Sequence, residues 1–94
     1  MTFQDFIKLK KGDSVYVHAG HTVGEGEVLG FEVFRTMHSE CEMPDHLPPH
    51  LNPDDYYSVR LIVQMEDAFY QVQPWHQGRP LFVWERDVVG KVDP

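Results

Sequence analysis

The chain has 94 residues, 41% of them hydrophobic and 13% aromatic, with eight Lys and Arg against fifteen Asp and Glu and a single cysteine. That is apolar material for one small domain, 1–94, built on one modest core, and it excludes an intrinsically disordered segment. A net charge of −7, the lack of any apolar run near the roughly 20 residues of a membrane-spanning helix, and the lone Cys41 argue against nucleic acid, a membrane helix and an internal disulfide.

Thr2 ahead of Phe3, with Asp5 three positions on, predicts an N-cap and a short helical turn that puts Phe3, Phe6 and Ile7 on one face. Lys10-Lys11-Gly12-Asp13 then punctuates the chain. Val15 and Val17 alternating with Tyr16 and His18 predict a first strand over 14–19. Gly20 to Gly26, with three glycines, reads as a hairpin connection, and 28–34 as a second strand with Gly30 at a bulge. Over 36–55 periodicity stops: four prolines, three histidines and five acids without a single Lys or Arg predict a long acidic, Pro/His-rich loop.

Tyr57, Val59, Leu61, Val63 and Met65 alternate with Tyr56, Ser58, Arg60, Ile62 and Gln64, the clearest strand signal in the chain. Glu66-Asp67 reads as a turn, 69–72 as a return strand, 73–80 as a loop and 81–84 as the next strand. One helical turn over Arg86 to Gly90 and a short strand through Val92 close the series. Five to six short strands with a helical turn near each end predict a mainly β fold, a small closed or nearly closed barrel, because closure removes exposed strand edges.

This order of elements resembles the SH3-like small barrels. Within that group Gly12-Asp13-Ser14-Val15, Gly26-Glu27-Val28-Leu29-Gly30-Phe31, Tyr57-Ser58-Val59 and the segment from Leu81 to Val89, about half the chain, are similar to the plasmid-borne type II dihydrofolate reductases. The resemblance implies a tetramer holding folate and NADPH in a central pore, with a Val-Gln-Ile-Tyr motif on the strand corresponding to Leu81-Phe82-Val83-Trp84. Here Phe82 stands for the glutamine and Trp84 for the tyrosine, and an acidic chain suits the NADPH phosphates poorly, so it is the fold that carries over. Tudor-like and peptide-binding modules share this barrel, and fold alone leaves the function open.

Two constellations carry chemistry. His38, Cys41, His46 and His50 are spaced much as in a zinc knuckle, and a bound zinc would order a loop poor in packing residues; the same residues also suit a solvated surface, with Pro44, Pro48 and Pro49 stiffening it and no glycines to turn it. The other constellation is aromatic and acidic. Alternation sends Tyr57 and one face of the 69–84 segment inside, leaving Tyr56, Tyr70 and Trp75 exposed beside Glu40, Glu42 and Asp45. Aromatic faces next to carboxylates attract ammonium and guanidinium groups.

Catalytic patterns are weak: no nucleophile elbow, phosphate loop or dinucleotide fingerprint occurs, and while His18 and His21 could pair with Glu25 or Glu27 for acid/base work, a surface histidine beside a carboxylate is ordinary. The opening residues show no basic stretch followed by an apolar one, which with the lone cysteine points to the cytoplasm. The expected function is a non-enzymatic module binding a basic protein segment or a cationic small ligand. The competing reading is a homo-oligomer, reductase-like or otherwise ligand-binding, whose pore only symmetry completes.

Overall fold

The computed structural model describes residues 1–20, 22–35, 41–48, 51, 56–65 and 80–92, and it is mainly β, with antiparallel pairing throughout. Helix α1 (Phe3–Phe6) opens the chain, its Asp5 N–H donating to the Thr2 hydroxyl at 3.2 Å. Among the described residues six strands follow: β1 (Ser14–Ala19), β2 (Thr22–Arg35), β3 (Cys41–Glu42), β4 (Tyr56–Met65), β5 (Leu81–Val83) and β6 (Val88–Lys91). A 3-10 turn, Glu85–Asp87, joins the last two. Pairing runs β5-β4-β2-β1-β6, with β3 attached to β2.

Strand β2 is the spine. Its first half pairs with β1, from Ala19 opposite Thr22 to Ser14 opposite Glu27, and from Gly26 onward it pairs with β4 on its other edge. Val28 faces Val63 and Gly30 faces Ile62, so Leu29 is an extra residue, a bulge at the predicted place. One inserted residue inverts the side-chain alternation: Thr22, Gly26 and Val28 are buried before it, Phe31 and Val33 after it. Beyond the bulge, the edge that β1 vacates is filled by the Pro44 carbonyl, which accepts the Phe31 N–H at 2.9 Å, and by β3 opposite Val33 and Phe34.

The core is one cluster. Val15 and Val17 of β1, Val28, Phe31 and Val33 of β2, Val59, Leu61, Val63 and Met65 of β4, Val83 and Val88 meet Phe6, Ile7 and Leu9 from the N-terminal segment and Leu47 and Leu51. Phe6 sets its ring edge-on to Phe31, centroids 5.6 Å apart, which ties α1 to the sheet.

Several expectations change in detail. The chain turns at Gly20, and Thr22–Gly26 is already strand, not hairpin loop. The 36–55 stretch contains β3 and an antiparallel bridge between His46 and Lys10, so its described part is built against the sheet. Residues 88–90, expected in a helical turn, belong to β6, and the turn lies one step earlier. Among the described residues β5 and β6, the two ends of the path, are not paired to each other, so the hydrogen bonding does not close a barrel. The expected turn at Glu66-Asp67, the 69–72 strand and positions 73–79 of the loop that follows it lie outside the described residues.

Candidate functional site

Because Val59, Leu61, Val63 and Met65 point into the core, Ser58, Arg60, Ile62 and Gln64 lie on the other face of β4. Arg60 sits on that outer face directly opposite Glu32 of β2. On the other side, Leu61 opposite Val83 and Ile62 opposite Phe82 bring β5 alongside, and the same register carries Trp84 to Arg60. Phe34, two residues beyond Glu32, completes the ring of neighbours.

The guanidinium carbon of Arg60 lies 5.2 Å from the ring centre of Phe82, 5.7 Å from that of Trp84 and 6.0 Å from that of Phe34. Its Nε donates to Glu32 Oε1 at 2.6 Å, and its Nη2 donates to the same oxygen. The Glu32 side chain is 12% exposed against 32% for Arg60. A carboxylate so far withdrawn from water needs its partner. Phe82 and Trp84 each remain 37% exposed.

Trp84 is positioned from the 3-10 turn: its backbone N–H donates to Asp87 Oδ2 at 3.0 Å. Asp87→Ala removes this cap and is expected to lower stability by about 1 kcal/mol and to loosen the indole, read as a fall in melting temperature with a red-shifted emission in a Trp75→Phe background.

Chemically the cluster offers a ligand charge and aromatic surface. A guanidinium stays protonated at any physiological pH, and three hydrocarbon-faced rings supply no proton or nucleophile. Exposed Trp and Phe packed about an Arg is the side-chain combination that dominates protein interfaces.

The residues singled out from sequence fall differently. Trp75, Tyr70, Glu40, His38 and His50 lie outside the described residues. Tyr56 opens β4 opposite Arg35, Glu42 lies on β3 opposite Val33, and Cys41 lies opposite Phe34. Asp45 and His46 are exposed, Asp45 using its carbonyl to accept the Lys11 N–H at 3.0 Å. Among the described residues no three His, Cys, Asp or Glu converge as metal ligands. What the topology does bring together is β3, from the acidic segment, and the strand end that carries Phe34.

Glu32, Phe34 and Arg60 escaped the sequence reading, which named Phe82 and Trp84 only as departures from the reductase motif and sent one face of the 69–84 segment inside. Alternation of Phe82 and Trp84 with Leu81 and Val83 was the available signal, and it sends Val83 inward and both aromatics outward. The Glu32–Arg60 pair, 28 residues apart, has no local signature because only the β2-β4 register creates it. The chain matches no family model, no curated protein and no solved structure. No helix among the described residues is long and apolar enough to cross a membrane.

Proposed function

We propose that this chain is a non-enzymatic, cytoplasmic protein-binding module of the SH3-like small-barrel type, which docks a basic protein segment on the outer face of β2, β4 and β5. The path β5-β4-β2-β1-β6, a bulged second strand and a 3-10 turn ahead of the last strand support the barrel type. One observation carries the function: Phe34, Phe82 and Trp84 stand together around a charge-matched Arg60, two of them exposed.

Charge selects the partner. Arg60 is neutralised by Glu32, β3 pairs with β2 at Val33 and Phe34, and the 36–55 sequence from which β3 comes holds five acids and no base in a chain of net charge −7. Cationic side chains gain the ring quadrupoles at the centre and Coulomb attraction at the rim. In calorimetry a short arginine-rich peptide is expected to bind at low salt and a glutamate-rich one not to bind. Trp84→Ala should weaken the first about tenfold or more while the fold persists. Equal binding by wild type and Trp84→Ala would rule out this face as the docking site.

A second reading rests on the exposed pair Phe82 and Trp84, which the resemblance to the type II reductases aligns with their pore motif. In that case copies of the chain cover the face, and sedimentation finds a tetramer that Trp84→Ala dissociates.

A further inference from the structure

We infer that Glu32, Phe34, Phe82 and Trp84 form a guanidinium-recognition site in which Arg60 is the resident occupant, so that a docked segment places an arginine there by displacing Arg60. This rests on the binding-module reading and narrows its ligand from basic segments in general to those presenting arginine.

The geometry is that of a bound arginine side chain. Two adjacent donors, Nε and Nη2, converge on one carboxylate oxygen, and three rings lie within 6.0 Å of the guanidinium carbon. A planar, weakly hydrated guanidinium satisfies an acid and stacks on rings at once, whereas a lysine ammonium, a compact and strongly hydrated point charge, does so less well.

The occupant is also removable. Arg60 belongs to the sheet through its backbone, opposite Glu32, and only its flexible side chain enters the cluster, where it stays 32% exposed. Rotation into solvent breaks no strand pairing. If Arg60 fills the site about nine-tenths of the time, an outside guanidinium meets an apparent affinity about tenfold below that of the emptied site.

The test uses Arg60→Ala with ethylguanidinium and ethylammonium as probes at millimolar concentration, followed on the assigned Trp84 indole N–H signal. The expected result is saturable ethylguanidinium binding, ethylammonium several-fold weaker, at most a tenth of the affinity in wild type, and loss of binding in Arg60→Ala/Glu32→Gln. No ethylguanidinium response in folded Arg60→Ala, or equal response to both probes, overturns the inference. Should Arg60→Ala not fold, wild-type protein decides with peptides: preference for an arginine-rich over a matched lysine-rich peptide supports it. Equal affinities overturn it while leaving the module reading intact, and binding of neither overturns both.

Discussion

Phe31→Ala is expected to lower stability by about 3–5 kcal/mol, the range for deleting a fully enclosed aromatic ring. Phe31 has no exposed surface, follows the bulge of β2 and meets Phe6 at an interplanar angle of 85°. The cavity left behind would be bordered by two elements at once, the sheet and α1, and a helix of four residues has too few contacts of its own to close it. A domain of this size has a total stability of about 5–15 kcal/mol, so the melting temperature should fall by roughly 15–35 °C. Phe31→Leu should lose much less. Combining Phe31→Ala with Phe6→Ala should lose less than the sum of the two, since the ring pair can be broken only once. Additive losses would show that α1 is anchored by other contacts.

Gly30→Ala is expected to lower stability by about 2–4 kcal/mol, although it adds a single methyl group. Gly30 has φ +150°, where side chains are rarely tolerated, and a Cβ there would lie 2.9 Å from the carbonyl oxygen of Pro44. That oxygen cannot retreat freely because it accepts the Phe31 N–H. The substitution therefore sets the bend of β2 against the segment that covers its edge. Thermal denaturation reads the loss; a change below about 0.5 kcal/mol would mean that the bulge relaxes without strain. Gly12→Ala separates conformation from crowding, since Gly12 has φ +98° and nothing within 4 Å of its added Cβ.

What the sequence showed follows from which signals are local. Strand β1 was legible to the residue because Val15 and Val17 are buried between the exposed Tyr16 and His18. The bulge was legible because a glycine interrupts an otherwise β-branched and aromatic run. Gly26 misled: it reads as turn chemistry, yet it sits mid-strand because a Cβ there would come within 2.2 Å of Val63 Cγ1 and 3.0 Å of the Met65 sulfur. Strand β3 gave no sign at all, being two residues held by backbone pairing with Val33 and Phe34. The candidate site was hardest to see, since Phe34, Arg60 and Phe82 come from three strands and meet only through the registers joining β2, β4 and β5. Composition drew attention to aromatic and acidic residues, but which of them meet depends on strand pairing.

The most direct test of the docking face is a titration of isotope-labelled protein with a short arginine-rich peptide, following every assigned backbone and indole N–H signal. The largest shifts are expected on Glu32, Phe34, Arg60, Phe82 and Trp84, with smaller ones along the acidic stretch, and the Arg60 side-chain Nε–H signal should change as its contact with Glu32 Oε1 is replaced. Shifts confined to 36–55, with the Trp84 indole unmoved at saturation, would contradict docking on this face.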